Sequence, residues 1–348
     1  MAKSNWSYLE RERRTGEYEE MTVRSIGHWS IADDKRWPRE VVDGYHLSSE
    51  TGVGMIGPTA LHIADGAIYR DRHKLTYRSY ILQQDNEEKK LDAIFESAKS
   101  RLSDLAAGIP ESIRARYIPA MRHLFWGLGM SQIYGSAYTA HGTVMNSLLF
   151  QVFDSMRHAQ RLVELSWQIN LSAATEPIDS REIWLEWKPV QGLRKYIEQG
   201  LTVFDWGESL VAFDFVFNPI FQPVHNVIMV DIPEVSGDWA ISHFWLHLSE
   251  DVKRHLVAGE DFVAAMLKED ERNRDVIQGW ILAWYWRAVD AIEGLRPVVE
   301  EGSLIGFDQL KEGILARYSE MLLRYGLETP SHQTRKGERH DAVAGISR

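Results

Sequence analysis

The sequence predicts an all-α helical bundle, and three observations carry that reading. From about Asp85 onward, apolar residues recur at three- and four-residue spacing over long stretches. The connections between those stretches are short, and no segment shows the alternating pattern of a half-buried strand.

The elements follow in order. Leu91, Ile94, Phe95, Ala98, Leu102 and Leu105 mark an amphipathic helix ending near Gly108. A second runs from Pro110 to about Tyr138 and a third from Gly142 to about Asn170, and a short aromatic turn covers Trp184–Trp187. A central helix is expected at about Leu193–Phe217. Its stop is set by Pro219, which disfavours helical geometry at Asn218 and cannot donate to the ladder. Further helices are expected at Trp239–Leu248, Glu250–Leu267 and Val276–Leu295, with a last one at Phe307–Tyr325. Residues 1–85 lack a sustained period yet carry Trp6, Trp29, Trp37 and Tyr45. They read as an extended arm whose aromatics cover a partner surface. The organisation is thus an arm (1–85), a helical domain (86–327) and a polar tail (328–348).

Composition narrows the function. At 348 residues the chain can bury a large core. Its net charge of −11 argues against nucleic-acid binding, because no basic surplus exists to neutralise phosphates. The absence of cysteine excludes disulfides, thiolate zinc, iron–sulfur ligation and a thiol nucleophile, and fits a reducing cytoplasm. The first residues have no apolar signal core, and no run of apolar residues is long enough to span a membrane. A cytoplasmic globular protein is expected.

The central stretch Leu201–Pro219 is apolar almost all round but carries Asp205, Glu208 and Asp214. Buried carboxylates must be paired, protonated or bound to metal. Two strings elsewhere resemble each other: Asp154-Ser-Met-Arg-His158 and Asp251-Val-Lys-Arg-His255. Asp and His at i and i+4 share a helix face, so each pair suits a metal. With the neighbouring Arg157, Arg161 and Arg254, however, both strings read more readily as solvated ion-pair stripes. A di-iron bundle takes a Glu-x-x-His motif from each of two helices and a single carboxylate from each of two others. The helix before the first His-bearing one cannot supply its carboxylate, since Ser112 through Phe153 contains no Asp or Glu. Gln132 and Tyr134 are its nearest polar candidates, and hard cations need charged oxygens. Gly52–Gly57 matches G-x-G-x-x-G, but no strand precedes it and no βαβ unit follows, so it reads as a loop. His123 and His141 read as hydrogen-bonded structural residues, and Trp280, Trp284 and Trp286 as packing.

Leu201-Thr-Val-Phe-Asp-Trp-Gly-Glu208, followed by a long apolar stretch, resembles the small (β) hydroxylase subunit of bacterial multicomponent monooxygenases, the toluene, phenol, alkene, propane and methane group. Leu75–Tyr80, Asp154–His158, Trp187–Leu193 and Val276–Trp280 extend the likeness, which covers roughly residues 1–327. The resemblance implies a ferritin-like fold. It also implies a di-iron centre held by a partner α subunit, in an α₂β₂ or α₂β₂γ₂ assembly with a coupling protein and an FAD and 2Fe–2S reductase using NADH. Where an active subunit has Glu three residues before each His, this chain has Ser155 before His158 and Val252 before His255. The chain is therefore expected to hold no metal, cofactor or catalytic residue of its own. Arg157, Arg161 and Arg254 are then the expected partners of Asp205 and Glu208. The residue reading leaves open two rivals. One is a self-sufficient di-iron oxidase, desaturase or ribonucleotide-reductase-like subunit using Asp154, His158, Glu208, Asp251 and His255. The other is a regulatory helical module.

Overall fold

A computed structural model describes residues 16–19, 21–22, 59–63, 69–99, 102–139, 141–173 and 179–331. The arm aromatics Trp6, Trp29, Trp37 and Tyr45, and the glycine-rich Gly52–Gly57, lie outside the described residues. Every long described element is a helix, and no strand occurs among the described residues.

Helix α1 (Tyr77–Ala98) begins earlier than the expected Asp85 because Thr76 caps it. The Thr76 hydroxyl accepts from the Ser79 amide at 3.3 Å, and the Ser79 hydroxyl accepts from the Thr76 amide at 2.9 Å, a reciprocal capping box. A short α2 (Leu102–Ala107) follows. A π-helical turn at Ser112–Tyr117 runs into Ile118–Tyr138, and together these form α3. Helix α4 (Gly142–Ala173) returns antiparallel to it. Gly129 lets the two approach, since a Cβ there would lie 2.2 Å from the Met156 methyl and 3.4 Å from Ser155 Cβ. Helices α5 (Ser180–Glu186) and α6 (Gln191–Gly200) complete the first half.

The central stretch departs from expectation at both ends. The expected helix over Leu193–Phe217 is interrupted between Gly200 and Trp206, where Asp205 adopts extended geometry as an N-cap. The helix that restarts there does not stop at Pro219. It continues as α7 through Trp206–Leu210, Val211–Phe217, Asn218–Asn226, Val227–Asp231 and Ile232–Val235. Two of these segments, Val211–Phe217 and Val227–Asp231, are π-helical. Pro219 and Pro233 each stand two residues beyond a π turn, and Pro119 stands in the same relation to Ser112–Tyr117. A proline in a regular helix lacks one donor and crowds the carbonyl four residues back. A preceding wider turn shifts that carbonyl's register and lets the helix run on. The sequence rule that Pro ends a helix fails at Pro219 and Pro233 for that reason.

Helices α8 (Trp239–Glu269), α9 (Asn273–Glu293), α10 (Arg296–Glu300) and α11 (Phe307–Arg324) complete the helices among the described residues. The two helices expected at Trp239–Leu248 and Glu250–Leu267 are thus one. Helix α7 lies in the centre: Phe215, Val216, Phe217, Ile220 and Phe221 are fully buried. It packs on α8 and on α9, and α1 crosses α8. The four helices α3, α4, α7 and α8 therefore enclose the position where a bundle metal site would sit.

Candidate metal centre

The two similar strings meet in the core. Asp154 and His158 stand on α4, and Asp251 and His255 on α8. None of the four is more than 5% exposed, so these are not solvated stripes. Nor does each Asp share a target with the His of its own helix. The pairs are crossed: His255 Nε2 lies 2.9 Å from Asp154 Oδ2, and His158 Nε2 lies 3.1 Å from Asp251 Oδ2. The arginines of the strings cross in the same way. Arg254 donates to Asp154 at 2.8 Å, and Arg157 donates to Asp251. Arg254 also forms an ion pair with Asp251 at 2.7 Å. Helix α1 closes the set. Gln84 Nε2 bridges both carboxylates, at 3.0 Å from Asp154 Oδ1 and 2.9 Å from Asp251 Oδ1, and the Tyr80 hydroxyl donates to Asp154 at 2.8 Å. Glu88 of α1 anchors Arg157 and Arg161 from outside.

Two carboxylates and two guanidiniums balance, so the cluster is neutral if both imidazoles are neutral. Burial alone would raise the Asp251 carboxyl. The hydrogen bond from His158 and the charges of Arg157 and Arg254 outweigh it and hold the group well below the usual carboxylate range. Burial lowers His158 by more than Asp251 raises it, which keeps that imidazole uncharged. A carboxylate can only accept, so the proton sits on His158 Nε2 and Nδ1 is a bare lone pair. That Nδ1 is buried without a hydrogen-bond partner, and the Phe125 and Trp245 rings pack edge-on against the imidazole at 5.0 and 5.8 Å.

An imidazole held by a carboxylate through one nitrogen and open at the other is the arrangement that orients a metal ligand. The carboxylate half of such a set is missing. The Ser155 hydroxyl donates to Gln132 Oε1 at 2.7 Å, and Gln132 Nε2 donates to Gln151 Oε1 at 3.1 Å. Gln151 and Asn218 in turn hydrogen-bond Asp214 of α7. Val252 is buried in the apolar core. Burial pushes the Asp214 carboxyl up to about 6, against the opposing pull of His255, Gln151 and Asn218. Ser155, Gln132 and Gln151 thus form a chain of a hydroxyl and neutral amides that ends on a weakly acidic carboxyl, Asp214, within electrostatic reach of His255. A di-iron centre needs several charged oxygens, and these residues do not fit it. Among the described residues no group of three or more His, Asp or Glu is placed to hold a metal ion.

The other candidates are elsewhere. Asp205 and Glu208 are not partners of Arg157, Arg161 or Arg254, because those arginines are engaged with Asp251, Glu88 and Asp154. Asp205 accepts from the amides of Gly207 (2.8 Å), Glu208 (3.1 Å) and Ala60 (2.6 Å), which spends its charge on its own helix terminus. Glu208 accepts from Trp284 Nε1 at 2.8 Å. Tyr134 donates to the Phe204 carbonyl at 2.6 Å, outside the cluster. His123 contacts Ser180 Oγ at 3.2 Å and His141 packs edge-on to Trp206. Trp284 and Trp286 are buried and Trp280 is packed against the core. Sequence reasoning singled out Asp214 but missed Gln84, and it missed that Asp214 opens a polar line on α7 with Asn218, Gln222 and His225, all of them buried. Their spacing of four, four and three was visible in the sequence as a seam on one helix face, but the strongly apolar surroundings masked it.

A family profile described as Methane/Phenol/Alkene Hydroxylase matches residues 46–270. The β subunit of the toluene-4-monooxygenase hydroxylase component from Ectopseudomonas mendocina is 28% identical over 262 residues, covering 72% of this chain and 75% of that relative. The phenol 2-monooxygenase oxygenase component DmpL from Pseudomonas sp. strain CF600 is 23% identical, covering 76% of this chain and 80% of its own length. A chain of the xenon-pressurised phenol hydroxylase from Pseudomonas sp. OX1 superimposes with a TM-score of 0.74 at 20% identity, covering 91% of this chain and 92% of that one, and shares the fold. With a bundle whose two Asp-x-x-Arg-His strings cross at its centre, and a profile match over most of its length, the chain belongs to the methane/phenol/alkene hydroxylase family.

Proposed function

We propose that this chain is the non-catalytic small (β) subunit of a multicomponent monooxygenase hydroxylase, which oxidises a small hydrocarbon with O₂ and NADH. The iron is held by a larger partner subunit, and a coupling protein and a flavin/iron–sulfur reductase complete the system in an α₂β₂ or α₂β₂γ₂ assembly. One observation carries this reading. The crossed Asp–His pairs orient imidazoles as a metal site would, while Ser155, Val252 and Gln132 stand where carboxylates are required. The cluster is satisfied internally by Arg157, Arg254, Gln84 and Tyr80. A buried, closed network of that kind fixes how the three helices α1, α4 and α8 pack, which is a scaffolding role.

The test is reconstitution. The chain is assayed for hydrocarbon hydroxylation with NADH, reductase and coupling protein, alone and after co-expression with the large hydroxylase subunit. Turnover only in the presence of the large subunit is expected. Hydroxylation by the chain without it would overturn the proposal.

A further inference from the structure

Helix α4 is buried on every side but one, and the open side is apolar. Leu149, Phe153, Met156, Gln160, Val163 and Trp167 repeat at four, three, four, three and four residues, the rhythm of a helix–helix seam. Phe153, Val163 and Trp167 are 38, 41 and 56% exposed. Helix α3 runs beside it and presents Trp126 (53% exposed) and Ile133 (40%) on the same side. Between the two helices is a groove of about 530 Å³, lined by Arg122, His123, Trp126, Met156, Gln160 and Val163 among others. Two adjacent helices with aligned apolar stripes and an open groove are a docking surface.

Charge selects the occupant. The groove lining has a guanidinium, Arg122, and no carboxylate, although the chain as a whole is strongly acidic. Among the described residues Arg122 has no carboxylate partner. A two-fold pairing of two copies would press one carboxylate-free groove on another and enclose both Arg122 side chains without a counter-charge, which is costly. A different chain that offers apolar residues at helical spacing and a carboxylate opposite Arg122 completes the surface. We infer that the α3–α4 face, centred on Trp126 and Val163, is the seat of a helical surface of the large hydroxylase subunit, with Arg122 reading a carboxylate there. This inference rests on the subunit role proposed above.

The test is co-purification of the full chain with the co-expressed large subunit, together with hydrogen exchange over residues 122–137 and 149–167. Trp126→Glu and Val163→Glu alter exposed positions, and retained helicity and melting temperature show that they fold. They should reduce the recovered complex at least tenfold. Arg122→Glu should weaken it and Arg122→Lys should not, while Leu304→Glu and Leu323→Glu, on exposed apolar residues elsewhere, should leave it intact. Exchange in both segments should slow on assembly. Assembly that survives the two stripe variants would overturn the inference while leaving the subunit role standing. A self-dimer broken by them, or a stripe already protected in the isolated monomer, would overturn it in favour of a second copy or the chain's own arm. Failure of the wild-type chain to bind any large hydroxylase subunit would sink the subunit role, and the inference with it.

Discussion

His158 and Asp251 stand 93 residues apart in sequence, yet the imidazole Nε2 lies 3.1 Å from the carboxylate in a fully buried contact between α4 and α8. Its counterpart, His255 on Asp154, runs the other way across the same helix pair at 2.9 Å. Each Asp therefore locks the helix that does not carry it. Removing one carboxylate leaves a guanidinium, an imidazole and Gln84 facing an unbalanced core. Breaking a buried ion pair from one side costs about 3–5 kcal/mol. Asp251→Ala and Asp154→Ala should each lower the stability read from urea denaturation by about that much. A loss below about 1 kcal/mol would mean that the network does not hold the helices together.

Asp214 gives a pH signature. Its carboxyl, pushed up to about 6 chiefly by burial, has an ordinary value of 3.8. A group with a raised folded value favours the folded chain while protonated, and that advantage is lost as pH rises through the folded value. The gap corresponds to about 3 kcal/mol. Asp214→Asn keeps an oxygen for Asn218 to donate to but cannot ionise. The variant should match the wild type near pH 4, gain on it between about pH 4 and 6, and be more stable by up to about 3 kcal/mol at pH 7.5. Denaturation curves at the three pH values check this, and a constant difference across them would refute it.

Gly259 of α8 crosses α7 where no side chain fits. A Cβ there would lie 2.8 Å from the Asp214 carbonyl oxygen and 2.9 Å from its carbon, both backbone atoms that cannot step aside. Gly259→Ala should cost about 1–3 kcal/mol, the range for overpacking. Gly279→Ala, on the exposed side of α9 with nothing within 4 Å, should gain about 0.5–1 kcal/mol from helix propensity. Melting temperatures moving in opposite directions are the expected outcome, and equal shifts would contradict the packing described.

Asp205 ties the restart of the central helix to residues 59–63 through Ala60. Asp205→Ala should cost about 1–2 kcal/mol as a lost cap and loosen that segment. Faster hydrogen exchange at Ala60, Gly207 and Glu208 is the readout. Unchanged exchange there would place the restraint elsewhere.

How much of this was legible in the sequence differs element by element. The bounds of α3 and α4 were readable because their apolar period is long and unbroken, and so was the absence of any Asp or Glu from Ser112–Phe153. The reach of α7 was not, since π turns before Pro219 and Pro233 are a backbone adjustment with no residue signature. The two Asp-x-x-Arg-His strings were visible, but their alternatives, exposed stripe or buried site, differ only in tertiary burial. The crossing of the pairs, and the recruitment of Tyr80 and Gln84 from α1, depend on which helices become neighbours. That information lies in no single stretch. Local rules likewise placed Asp205 in a core ion pair, whereas the interruption of the helix between Gly200 and Trp206 made it a cap.

This bundle carries imidazoles held by carboxylates as metal ligands are, beside a hydroxyl, neutral amides and one weakly acidic carboxyl, Asp214, in place of a set of charged oxygens. Iron counting after anaerobic Fe(II) loading tests it most directly, with the isolated chain and its complex with the large subunit measured side by side. Iron should follow the large subunit, with less than about 0.1 iron on this chain and no oxo-bridge absorption from it, because neutral Gln132, Ser155 and Val252 do not offset the charge of a hard cation. About two tightly held irons per isolated chain would contradict it.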